Sequence, residues 1–196
     1  MSQHQHFLLH KPVGYLSQFV NNQNKRRNKK LLGELGHFPD GIMAIGRLDE
    51  NSEGLLLLTT DGKVSEQIRS HKIEKEYYTQ VDGDITPEAI EKLKSGLEIN
   101  IEGKKYMTTP CQAFKLESIP KWITPPKRIR DERHGPTSWL SVTLTEGRFR
   151  QVRKMTAKTG FPTLRLIRIR IGGIHLNTLA EGEVLEVDEL IPAIPN

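Results

Sequence analysis

Cysteine is nearly missing from this chain: Cys111 is the only one in 196 residues. A disulfide within the chain is excluded, and the cysteine usage fits a reducing compartment such as the cytoplasm. Long apolar runs are missing too. Nothing approaches the roughly 20 consecutive apolar residues of a transmembrane helix, and the opening MSQHQHFLLHKP lacks the charged-then-apolar order of a secretory leader. A single cysteine and seven scattered histidines speak against a structural zinc site. His4, His6 and His10 stand close together, yet no ligand motif surrounds them. There is no internal repeat, no glycine-rich phosphate loop and no other cofactor motif. The last absence is of one charge sign. From Gly147 to Arg170 the sequence GRFRQVRKMTAKTGFPTLRLIRIR has no Asp or Glu over 24 residues and carries eight Lys or Arg.

That basic stretch is the longest of three. Lys25-Arg26-Arg27-Asn28-Lys29-Lys30 lies earlier, and PPKRIRDER covers Pro125 to Arg133 with partial compensation from Asp131 and Glu132. The whole chain carries a net charge of +5 and a pI near 9.3. Any one run reads equally well as a solvated face. Three of them, one uncompensated, favour a phosphate-rich partner.

Strand and helix signals alternate without a parallel βαβ rhythm. Phe7 to His10 is a short apolar strand ending at the turn Lys11-Pro12-Val13-Gly14. Ile42 to Ile45 and the wholly apolar Leu55 to Leu58 follow as strands, and residues 20 to 31 read as an exposed, mobile loop. Asp61 can cap a helix reaching Ser70 with Val64 and Ile68 inward. Lys75 to Val81 is a strand rich in aromatic and β-branched residues. Thr86-Pro87 opens a helix with Ala89, Ile90 and Leu93 as its stripe and Gly96 at its end. Ser138 to Thr145 alternates as a half-buried strand. Phe149 to Thr159 reads as a helix with Phe149, Val152, Met155 and Thr156 inward and Gly160 closing it. Leu164 to Ile171 alternates apolar residues with Arg165, Arg168 and Arg170, slipping phase at Ile167, and a last strand follows Gly182. The expectation is an α+β fold with a mostly antiparallel, mixed sheet and flanking helices.

The stretch with most chemical content is GRLDENSEGLLLLTTDG, residues 46–62. An aspartate before a turn commonly just accepts backbone hydrogen bonds. Here Asp49 sits between Gly46 and Gly54, which permit tight backbone geometry, and ahead of four leucines that can anchor the loop in the core. An aspartate nucleophile must be ionised, which a nearby arginine favours; Arg47, Arg150 and Arg153 are candidates, with phosphate contact as their alternative role. Tyr77 and Tyr78 are consecutive on a strand and point to opposite faces. One can enter the core while the other stacks on an unpaired base, or both can be ordinary sheet residues.

These motifs together resemble the pseudouridine synthases, in the branch that contains the ribosomal small-subunit synthase A. GRLDENSEGLLLLTTDG resembles the central motif of that branch. Lys11-Pro12-Val13-Gly14 is similar to its KPxG element and Lys75-Glu76-Tyr77 to its KxY element. Glu146 to Met155, EGRFRQVRKM, resembles EGRxRQVRRM with Lys154 at a usual arginine. Leu166-Ile167-Arg168 with Ile171-Gly172 resembles LxRxxxG. The five elements run from residue 11 to 172 in family order. PTSWL at Pro136 to Leu140 and GFPTLRLIR at Gly160 to Arg168 look like the large-subunit synthase E subgroup.

The resemblance implies a pseudouridine synthase fold with a central RNA-binding cleft. It implies isomerisation of a uridine in 23S rRNA, free or in a precursor particle, without metal or organic cofactor. Asp49 is implied as the catalytic carboxylate, Tyr77 as the residue that stacks on the flipped base and takes part in proton removal, and Arg153 as the partner that keeps Asp49 ionised. Leu166 is implied to pack the pocket wall. Arg47 would enter the space the base leaves, or alternatively bridge Glu50 or Glu53. Lys11, Arg148, Arg150 and Arg168 are expected to contact RNA. Only ten residues precede Lys11, so a single catalytic domain over residues 1–196, without an accessory RNA-binding domain, is expected. A monomer with no membrane association completes the reading. Two rivals stand beside it: a glycoside hydrolase pairing Asp49 with Glu50 or Glu53, and a non-catalytic RNA-binding protein that keeps the basic runs without needing Asp49, Tyr77 and Arg153.

Overall fold

The computed structural model describes residues 4–20, 28–70, 73–123 and 134–190. Its strands are β1 (His6–Lys11), β2 (Tyr15–Leu16), β3 (Lys30–Leu31), β4 (Met43–Ile45), β5 (Glu53–Thr59), β6 (Lys75–Asp82), β7 (Glu98–Ile101), β8 (Lys104–Met107), β9 (Gln112–Leu116), β10 (Thr137–Leu144), β11 (Thr163–Ile171), β12 (Ile174–His175) and β13 (Val184–Val187). The helices are α1 (Gly62–Ser70), α2 (Pro87–Ser95) and α3 (Gln151–Lys158). Two compact units divide the chain: Met1–Lys75 with Ile167–Asn196, and Glu76–Leu166. Among the described residues no helix is long and apolar enough to cross a membrane.

The first unit is built around β5. All seven of its residues are buried, because leucines face both sides of the sheet and the strand has neighbours on both edges. Antiparallel β1 lies on one edge, with Leu9 opposite Leu56 and Lys11 opposite Gly54. The other edge is shared. Antiparallel β4 takes its C-terminal half, and parallel β11 takes its start, with Ile167 opposite Glu53 and Arg168 opposite Gly54. β13 adds to the far side of β1 and β12 to β11. Leu56 and Leu58 pack with Phe7, Leu9 and Leu32, against which Phe19, Leu35 and Phe38 close. Phe38 meets Phe7 and Phe19 edge-on at 5.9 and 5.2 Å. Each fully buried leucine contributes roughly 1.5–3 kcal/mol, so β5 is a stiff support for whatever precedes it.

In the second unit the sheet order is β11, β6, β10, β9, with β9 antiparallel to β10. Thr86 caps α2 as its composition predicts, accepting from the Ala89 amide at 3.3 Å, and Ala89 and Leu93 are buried. The core joins Val81, Leu93, Leu140, Val142, Met155 and Leu166. The hairpin β7–β8 turns at Glu102-Gly103, whose φ angles of 51° and 81° suit a primed two-residue turn. Neither this hairpin nor β9 is among the strands expected from sequence, because their apolar alternation is short.

Two expectations change at α3. The helix starts at Gln151, not Phe149, because Arg150 adopts a left-handed φ of 53° just before it. Val152, Met155 and Thr156 are buried as expected, but Phe149 lies on the preceding turn and is 58% exposed. β11 does not keep its arginines on an open face. As an interior strand it buries both faces, so Arg165 and Arg168 are only 9% and 3% exposed. Of the early basic run, Lys25 to Arg27 lie outside the described residues, as does PPKRIRDER and most of the loop expected to be mobile.

Candidate active site

In the first unit, the loop leading to β5 is pinned at nearly every residue. Leu48 is held on both backbone groups by one side chain: its amide donates to Ser17 Oγ at 2.9 Å, and Ser17 Oγ donates to its carbonyl at 2.8 Å. The carbonyl of Asp49 accepts from the Ser52 amide at 3.0 Å. The carbonyl of Glu50 accepts from the Gly14 amide at 2.8 Å and, more distantly, from Lys11 Nζ at 3.5 Å. The Glu50 carboxylate takes Lys29. Leu48 is buried and Asp49 half-buried, so Asp49 stands on a loop whose backbone is fixed. Such fixing is what a reacting group needs if it is to meet its target without reorganisation.

Gly54 closes the loop. Its φ is 107°, and a Cβ there would lie 2.3 Å from the carbonyl oxygen of Arg168 and 2.6 Å from its amide nitrogen. Only glycine lets β11 come this close. The second glycine of the motif is thus explained by packing rather than by turn flexibility.

Lys11 is the cation beneath the loop. Its side chain is 0% exposed, and Nζ donates to the carbonyls of Pro12 and Tyr15 at 2.8 Å each besides Glu50. Burial pushes its ammonium down to about 8, against the pull of Glu53, Asp49 and Glu50 and with the push of Arg168. This corrects the expectation of an RNA contact: with no exposed surface and three carbonyls to satisfy, Lys11 braces the KPVG turn against the Asp49 loop. Arg168 is corrected for the same reason. Its Nε donates to the Leu55 carbonyl at 2.8 Å, and it lies inside the sheet. Lys75, held below the ordinary lysine range by burial and by Arg168, donates to the Ile73 carbonyl at 3.0 Å. Arg47 is exposed and donates to Gln18 Oε1 at 3.0 Å, so Gln18 stands where the alternative reading put Glu50 or Glu53.

In the second unit, Tyr77 is half-buried against the core that contains Leu166, which is 5% exposed. The adjacent Tyr78 hydroxyl is pushed above its ordinary range by burial and by Glu76. Arg153 is half-buried on α3 and points Nη1 to the Thr163 carbonyl at 3.5 Å. Arg165 lies 6.0 Å from the Trp139 ring centre. Before α3, Glu146 organises the basic turn. It accepts from the Tyr106 hydroxyl, the Gln151 side chain and, at 3.0 Å, the Thr109 amide. Burial would raise its carboxyl, but these three donors outweigh that and hold it below the usual range. Arg148 is exposed and stacks over Tyr106 at 4.7 Å, while Arg150 is half-exposed.

Ser17 escapes sequence reasoning. Nothing in YLSQF distinguishes it from a loop serine, since its role depends on a partner 31 residues away. Exposure of Phe149 had a faint signal in the arginines on either side of it.

Known proteins converge on one family. The family profile described as RNA pseudouridylate synthase matches residues 5–158. The ribosomal large subunit pseudouridine synthase E of Xanthomonas axonopodis pv. citri is 44% identical over 177 residues, which covers 88% of each chain. That of Vibrio parahaemolyticus is 39% identical over 183 residues, covering 92% of this chain and 72% of its own. A solved crystal structure of a pseudouridylate synthase superposes with a TM-score of 0.72 at 26% identity, over 95% of this chain and 71% of that one.

Proposed function

This chain belongs to the RNA pseudouridylate synthase family, and from that premise we propose that it isomerises one uridine of 23S rRNA, free or within a precursor of the large ribosomal subunit, with Asp49 as the catalytic carboxylate. The observation that carries the assignment to Asp49 is the loop from Leu48 to Gly54. Ser17, Gly14, Lys11 and the close approach of Arg168 fix its backbone on a wholly buried strand. The relatives named for the large ribosomal subunit supply the choice of rRNA.

The reaction conserves every atom of the nucleotide. The N-glycosidic bond to ring nitrogen breaks while Asp49 attacks at the ribose or the base. The uracil turns and rejoins the ribose through a ring carbon as the bond to Asp49 breaks and frees the carboxylate; that carbon's proton is given up as the ring nitrogen gains one. No electrons are gained or lost overall. The roles implied for Tyr77, Arg153, Leu166 and Arg47 are part of this proposal. So are RNA contacts by Arg148 and Arg150, a single catalytic domain, a monomer and a cytoplasmic setting. Extruding the uridine costs a few kcal/mol, least where the base is already unpaired, and an exposed basic surface can offset that.

The test is conversion of protein-free 23S rRNA, read by chemical labelling of pseudouridine and primer extension, with 16S rRNA in parallel. A single new stop on 23S rRNA is expected and identifies the uridine. Stops on 16S rRNA alone would overturn the substrate. Release of free uracil would overturn the reaction in favour of hydrolysis.

A further inference from the structure

Phe149 is exposed in a way that burial of apolar surface does not explain, and what surrounds it points to a use. The turn that carries it is stiff at both ends. Upstream, Glu146 is fixed by Tyr106, Thr109 and Gln151. Downstream, Arg150 takes its left-handed φ of 53° and α3 begins. The Arg148 amide donates to Gln151 Oε1 at 3.0 Å, and the Gln151 amide donates to the Arg148 carbonyl at 3.1 Å. The ring is therefore held out on a fixed turn.

Its neighbours are cations. Lys154 Nζ lies 5.3 Å from the Phe149 ring centre and is tethered to the Asn100 carbonyl at 2.7 Å. Arg148, next to it in sequence, is exposed and sits over Tyr106. An exposed aromatic with positive charge around it is the arrangement that holds single-stranded nucleic acid: the ring takes a base face and the cations take phosphates. A protein partner would more naturally find the ring in an apolar surround, whereas the side chains that flank it in sequence, Arg148 and Arg150, and Lys154 beside its ring are cationic.

We propose that Phe149 is a stacking platform for an unpaired base of the RNA substrate, separate from the uridine that reacts, with Arg148, Arg150 and Lys154 holding the phosphates on either side. The platform fixes how the RNA lies on the enzyme, so Phe149 is a recognition residue and not a catalytic one. The inference rests on the RNA substrate proposed above.

Equilibrium binding of a 23S rRNA transcript at several salt concentrations tests it, with wild type, Phe149→Leu, Phe149→Trp and Arg148→Gln. Phe149→Leu keeps the apolar bulk and loses the aromatic face. It is expected to weaken binding by roughly tenfold, with an unchanged slope of log affinity against log salt. Phe149→Trp is expected to restore affinity, and its added fluorescence is expected to be quenched by RNA. Arg148→Gln is expected to lower the salt slope by about one. Equal affinity of Phe149→Leu and wild type would overturn the proposal, as would an indole that RNA does not quench. Wild type that binds no RNA would overturn both this proposal and the proposed function. Wild type that binds 23S rRNA but converts it neither free nor in large-subunit precursor particles, while the Phe149 effects persist, would sink the function and leave the platform standing.

Discussion

The loop around Asp49 and the turn around Phe149 have similar compositions and opposite physics. Both are short, charged and flanked by glycine or arginine. In the first, charge is turned inward: Lys11 is spent on three carbonyls, Lys29 on Glu50, and the backbone is locked to a strand with no exposed residue. In the second, charge faces outward and one carboxylate, Glu146, holds the frame while Arg148 and Phe149 reach solvent. Chemistry needs fixed position and recognition needs accessible surface, so a count of basic residues misjudges both. Arg168 and Arg148 come from the same uncompensated run, yet only Arg148 is exposed.

The largest effect is expected at Gly54. Gly54→Ala combines a φ of 107° with a Cβ 2.3 Å from a backbone oxygen that cannot move without shifting β11. A loss of more than about 3 kcal/mol is expected, read as a fall in the urea midpoint; a midpoint within error of wild type would mean the strand approach is looser than described. Next come the two arginines as a pair. Arg168→Met leaves the Leu55 carbonyl without its donor and is expected to cost about 3 kcal/mol in unfolding free energy. Arg148→Gln is expected to change stability by less than about 0.5 kcal/mol. Similar melting shifts for both would erase the distinction between inward and outward charge.

Lys11 sharpens the comparison through pH. Its folded-state pKa, about 8, lies below the 10.5 of a free lysine, so the unfolded chain binds more protons between those values. Its contribution therefore destabilises the fold most below pH about 8, and stability rises from there to about pH 10.5. Urea melts at pH 7.5 and 10 are expected to show this gain in wild type and a smaller gain in Lys11→Met; equal gains would show that other groups carry it. A smaller stability effect belongs to Ser17→Ala, which removes both bonds to Leu48 and is expected to cost about 1–2 kcal/mol. Because Ser17 positions Asp49, turnover is expected to fall at saturating RNA while Phe149-dependent binding is kept. Unchanged turnover would remove Ser17 from the account.

Much of this was legible in the chain. The four leucines after GRLDENSEG made β5 and the loop before it readable, and Thr86-Pro87 made α2 readable, because capping and apolar runs act locally. Lys11 and Arg168 were legible as motif members but not in their role, since burial depends on which strands become neighbours. The start of α3 was misplaced by the two residues whose backbone departs from helix, and no local signal announces a left-handed Arg150. Ser17 was invisible because its bonds are made across the fold.

The measurement that bears most directly on the central claim pairs wild type with Asp49→Asn on 23S rRNA, recording equilibrium binding and pseudouridine formation on the same samples. The account predicts that Asp49→Asn binds the RNA as wild type does and forms no pseudouridine at any time point. Product at the same uridine at a rate close to wild type would contradict it, and would remove Asp49 from the chemistry.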